Sequence, residues 1–150
     1  MRTLMQAVDL DQVRGRLLRL RADNQSLWGM MNAAEMVCHV RGAFKTAMGE
    51  IAFEPVAVPM PRAALKAIAL WSPVPWKRNF ETIPALKRGT PALQTGAFAV
   101  DMAEAIEEME RFCLPTQTRV DHAFFGEMST GDWMRWGYLH TDHHLRQFGL

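Results

Sequence analysis

The chain has only two cysteines, Cys38 and Cys113, in 150 residues, and they follow no framework spacing. A disulfide scaffold is therefore excluded, and the expected setting is a reducing cytoplasm with both thiols free. Charge of one sign is also lacking. The formal net charge is +1, which argues against nucleic acid as a partner, because phosphate binding leaves a strongly basic footprint. No apolar run approaches the ~18 residues needed to cross a bilayer, so no membrane span is expected. The opening Met-Arg-Thr-Leu-Met-Gln-Ala-Val-Asp reaches an acid too early for a secretory signal. Repeats and low-complexity tracts are absent, and no segment alternates convincingly as a strand. A single domain spanning 1–150 is expected, long enough to bury a core.

What remains is helical periodicity. A first helix is expected from Asp9 or Asp11 to Arg21, capped by Asp11, with Val13, Leu17, Leu18 and Leu20 as its apolar stripe. A second begins at Asn32, where Asn-x-x-Glu with Glu35 has the form of a capping box, and it ends near Gly49. A third starts at Asp101, paired with Glu104, and runs to Phe112 or Cys113. A fourth is capped by Ser129 or Thr130 and reaches Gln147. Seven of the eight prolines fall between Glu50 and Phe98. That stretch reads as a long crossover holding one short helix, with Pro61 at its first position and Arg62–Leu70 following. Its basic residues are expected to face the acidic third helix. Four long helices without strands point to an all-α four-helix bundle with a long crossover between the second and third. The 11 methionines read as gap-fillers in such a core.

Three of the five histidines lie within five residues: His140, His143 and His144. On a helix, Trp133, Trp136, His140, His144 and Gln147 fall within roughly 40° of one direction. His140 and His144, four apart, can offer two imidazoles to one ion. His39 sits inside the stripe of Met36, Val40 and Ala43, so it points inward from the second helix. His39, His140 and His144 form a candidate three-histidine set for a divalent metal, zinc or nickel foremost. Three protein ligands leave a position open for water or substrate.

Each residue has a plainer reading. His39 alone is a hydrogen-bonded core histidine. His143 competes with His144 as partner of His140, about 60° away instead of about 40°. His122 lies in a loop and bonds locally. Glu35 is a helix cap first and a base or ligand-supporting group second. Cys38 points about 100° away from His39, and a Cys/His nucleophilic pair is the weaker alternative. A metalloprotease is excluded, because position 141 is threonine where His-Glu-x-x-His needs its glutamate.

The segments Asn32-Ala-Ala-Glu35-Met-Val-Cys-His39 and His140-Thr-Asp-His-His144-Leu-Arg-Gln147 resemble the DinB/YfiT-like superfamily. The ending, with His122-Ala-Phe-Phe-Gly126, Asp132-Trp133 and Asp142-His-His-Leu-Arg-Gln-Phe-Gly149, is similar to an uncharacterised bacterial branch of it. The resemblance implies an up-down-down-up bundle, a divalent ion on His39, His140 and His144, and a following glutamine at Gln147. It also implies metal-dependent thiol transferase, thiol-dependent isomerase or hydrolase chemistry on a small molecule, with a low-molecular-weight thiol as a partner, and a homodimer as in many relatives. Ala123 replaces the proline usual after the loop histidine. Trp133, Trp136 and Phe44 would line an apolar approach. The alternative is a non-catalytic binding or stress-associated module whose histidines form a buried polar network.

Overall fold

Two reciprocal caps fix where the histidine-bearing helices begin. In the computed structural model, which describes residues 1–150, the Asn32 side chain accepts from the Glu35 backbone N–H, and the Glu35 carboxylate accepts from that of Asn32, both at 2.9 Å. Ser129 and Asp132 repeat the arrangement at 3.1 and 3.0 Å. Each cap satisfies donors that a helix start leaves orphaned and contributes about 1 kcal/mol. The chain forms α1 (Ala7–Leu17), α2 (Ala33–Ala47), α3 (Arg62–Trp71), α4 (Phe98–Phe112) and α5 (Thr130–Gln147). Single 3₁₀ turns lie at Pro84–Leu86 and Pro91–Leu93. There is no β-strand, and a lone bridge joins His122 to Gly126. No helix is long and apolar enough to cross a membrane. Gly49, with φ of 81°, turns the chain out of α2.

The apolar stripes meet in one core: Val13, Leu17 and Leu20 from the first helix and its exit, Met36, Val40 and Phe44 from α2, Met109 and Phe112 from α4, Trp133, Trp136 and Leu145 from α5. Phe44 and Phe112 pack with ring centroids 4.9 Å apart. Met36 and Met109 are fully buried, in keeping with their gap-filling role. Charged pairs flank the core. Arg41 meets Asp101 at 2.9 Å and also Glu104, and Lys45 meets Glu108 at 3.5 Å. Arg16 meets Asp142 at 2.6 Å.

The crossover carries α3 against α5, through Trp71 Nε1 donating to Asp132 at 2.9 Å and Lys66 pairing with Asp132 at 3.2 Å. Its 3₁₀ turns lie on α2. A Cβ on Gly42 would come within 2.8 Å of the Leu86 side chain, so glycine is what lets the crossover lie so close.

Some boundaries depart from expectation. The first helix starts at Ala7, and Asp11 does not cap it; Gln6 precedes it without a side-chain cap. Leu18 is exposed, because the helix ends at Leu17 and the chain turns there. Asp101 does not begin α4. The helix starts three residues earlier, and the Asp101 carboxylate accepts from the Gly96 N–H at 2.7 Å and from Arg41. The crossover cations do not face α4 either. Arg88 pairs with Glu35, Lys87 with Glu81 and Lys66 with Asp132, while the α4 acids are taken by Arg14, Arg41, Lys45 and Arg111.

Candidate metal centre

His39 projects from the middle of α2, and His140 and His144 project from successive turns of α5. Their ring centroids lie 5.2 Å (39 to 140), 4.6 Å (39 to 144) and 4.8 Å (140 to 144) apart. One ring nitrogen from each lies within 4.8 Å of the other two, so the three buried imidazoles are positioned to hold one metal ion. His39 is 4% exposed and His144 8%.

Burial keeps all three neutral. It pushes His39 down to about 4. His140 and His144 fall well below 6.5, through burial first and their neighbouring histidines second. A neutral imidazole keeps the lone pair a metal needs. The Nδ1 atoms of His39 and His140 are buried with no hydrogen-bond partner. Such orphans are rare and cost about 1–3 kcal/mol each. Three neutral rings, two of them carrying a partnerless buried nitrogen, suit a divalent cation.

His144 differs, because Gln147 claims its Nδ1 at 3.0 Å. The Gln147 amide nitrogen donates to the Trp28 carbonyl at 2.8 Å. A carbonyl only accepts, which fixes the amide's orientation and turns its oxygen toward His144. The ring nitrogen facing that oxygen must be N–H, which leaves Nε2 as the lone-pair donor. The turn at residues 27–29 is held to the end of α5 a second time, by Leu27 N–H donating to the Gln147 carbonyl at 2.7 Å. Gly29, with φ of 81°, makes room. A Cβ there would lie 2.4 Å from the Gln147 amide nitrogen.

Trp136 stacks on His140 at 5.0 Å and 19°. Phe44 and Trp133 each touch Trp136, at 6.0 and 5.2 Å. All three are buried, so they form a wall behind His140 and not an open approach to it. His143 falls outside the ligand cluster. Its ring meets Trp28 at 6.1 Å, Trp76 at 6.0 Å and His144 at 5.3 Å. Glu35 is the α2 cap and the partner of Arg88 at 2.9 Å. His122 bonds locally, its Nδ1 accepting from the Phe124 and Phe125 N–H groups at 3.2 and 3.3 Å. Burial and Arg62 push it down to about 3. Burial raises the Cys38 and Cys113 thiols to about 11, so neither is a thiolate nucleophile near neutral pH.

Two further residues escape sequence reasoning. Trp76, from the proline-rich crossover, brings its ring to 6.3 Å from His140. Arg135 lies buried on α5 between the two wall tryptophans in sequence. Neither follows a periodicity that would have marked it.

The family described as "Protein of unknown function (DUF1569)" matches residues 2–149. No curated protein and no solved structure matches the chain.

Proposed function

The chain belongs to the DUF1569 family, and from that footing we propose that it is a metal-dependent enzyme of the DinB/YfiT-like type. Its single domain is then a four-helix bundle of up-down-down-up course. Pairing order supports that course. Partners rise together along α2 and α4, from Arg41 with Asp101 to Lys45 with Glu108. They run oppositely along α2 and α5, from His39 with His140 to Phe44 with Trp136. The observation that carries the reading is the meeting of three neutral imidazoles from α2 and α5 within 4.8 Å.

His39, His140 and His144 would hold zinc or nickel, both suited to imidazole. The bound ion would supply Lewis acidity, turning a thiol into a thiolate or water into hydroxide near neutral pH. The protein's own part is to keep the ligands deprotonated by burial, to orient His144 through Gln147, and to restrict His140 against Trp136. The buried aromatic wall of Phe44, Trp133 and Trp136 keeps water from one side. Thiol transfer, thiol-dependent isomerisation or hydrolysis of a small molecule is the reaction class, with a low-molecular-weight thiol as co-substrate.

Metal analysis of protein purified without a nickel column tests this. The expected result is about one divalent ion per chain, lost in His140→Ala. No ion in the wild type, or unchanged content in the variant, overturns the reading in favour of a non-catalytic polar network.

A further inference from the structure

A cavity of about 190 Å³ lies between the end of α3, the Ser72–Trp76 segment and one face of α5. Its walls are mixed, with Ala69, Val74 and Leu139 beside the polar Ser72, Arg135, Asp142 and Arg146. Two of its lining residues, Trp76 and His143, also border the metal centre. Trp76 lies 6.3 Å from His140, and His143 lies 5.3 Å from His144.

Arg135 sets the chemistry of this space. It lines the cavity yet is only 9% exposed. Its Nε donates to the Leu70 carbonyl at 2.9 Å and its Nη1 to the Arg2 carbonyl at 2.6 Å. Nη2 has no protein acceptor, and no carboxylate forms an ion pair with the group. Asp142, the acid lining the cavity, is engaged by Arg16 at 2.6 Å and lies 4.0 Å from Arg146. A buried guanidinium stays charged, and buried charges are normally paired. Two backbone carbonyls fix the plane of the fork and leave the rest of it free for an anion.

We propose that this cavity binds the carboxylate of a small, short-chain substrate through Arg135. The site adjoins the three-histidine centre, with Trp76 and His143 standing between the two. This rests on the enzymatic reading above and narrows it to a substrate class: a compact organic anion. The volume agrees, since it falls below the ~300 Å³ at which sites for drug-sized ligands begin.

Butyrate and butyramide, alike in shape and different in charge, are the probes. Binding is followed by ligand-observed NMR on zinc-loaded protein. Wild type is expected to prefer butyrate by roughly tenfold or more, the worth of one hydrogen bond to a charged group. Arg135→Met should abolish the preference. Val74→Trp, which fills the cavity from its exposed rim and leaves the Arg135 bonds alone, should do the same with folding unaffected. His140→Ala separates the two claims. A preference retained when metal binding is lost places the anion at Arg135, and a preference lost with the metal means that butyrate was binding the ion and overturns the proposal. Equal binding of both probes by wild type, or full preference in Val74→Trp, overturns it as well, whatever the metal analysis gives.

Discussion

Gln147 joins the candidate centre to the loop before α2, and replacing it separates two roles that one amide performs. Gln147→Leu removes the acceptor for His144 Nδ1 and the donor to the Trp28 carbonyl, bonds of 3.0 and 2.8 Å. Losing the support of a metal-ligating histidine typically costs 10–100-fold in metal affinity, or about 1.4–2.7 kcal/mol. Two lost bonds, with their former partners left unsatisfied, cost the fold about 2–3 kcal/mol. In a protein of this size that lowers Tm by roughly 4–10 °C. Gln147→Glu dissects the two effects. A carboxylate still accepts from His144 Nδ1–H but presents only acceptors to the Trp28 carbonyl. Its zinc affinity should therefore stay within about threefold of wild type, or tighten, while its Tm falls. Zinc affinity measured by competition with a chelating dye, beside calorimetric melting of the metal-free forms, reads both quantities. If Gln147→Leu binds zinc within about twofold of wild type, or Gln147→Glu loses as much affinity as Gln147→Leu, the hydrogen bond does not tune the ligand and the reasoning fails.

Further tests address acid sensitivity and the Gly29 turn. His122 has its pKa pushed down to about 3 from 6.5. The unfolded chain therefore takes up the proton first, and stability falls as pH drops below about 6.5, flattening only near 3. Between pH 7 and 5 this one group removes about 2 kcal/mol. Urea unfolding of His122→Asn, which keeps a neutral acceptor, should be less pH-dependent than wild type by that amount; equal slopes would refute the assignment. Gly29→Ala should lower Tm and zinc affinity together, because its Cβ would displace the Gln147 amide and its backbone strain costs about 1–2 kcal/mol. Gly89→Ala, with φ of 85° and no neighbour within 4 Å, should show the strain without the loss of affinity. Matching affinities in the two variants would disprove the coupling.

The legible features were the local ones. Asn32 and Glu35 lie three residues apart, so their capping box can be read from the sequence alone; for the last helix the sequence left Ser129 and Thr130 open, and the fold uses Ser129 with Asp132. The helical spacing of His140, His144 and Gln147 is equally local, and the inward direction of His39 follows from its apolar neighbours. Asp101 misled because α4 starts three residues before it, and its carboxylate is taken by Arg41 of α2 and by the Gly96 N–H just ahead of the helix. Its spacing to Glu104 imitates a cap that the folded chain does not use. Arg135 was invisible for a related reason. A cation in an aromatic run reads as a solvated interruption until two distant backbone carbonyls close over it. Trp76 sits among prolines, where no period exists to say which way a ring will face. The Gln147 bond to Trp28 needs a positive-φ glycine at position 29, and only the folded turn reveals that use of glycine.

Trp136 lies flat on His140, 5.0 Å between ring centres. An indole thus stands one ring away from whatever that imidazole takes up. Tryptophan emission is sensitive to open-shell ions at such range and largely indifferent to filled-shell ones. On the proposed reading, nickel or copper held by His140 would quench the part of the emission that comes from Trp136, one of five tryptophans, and zinc would not.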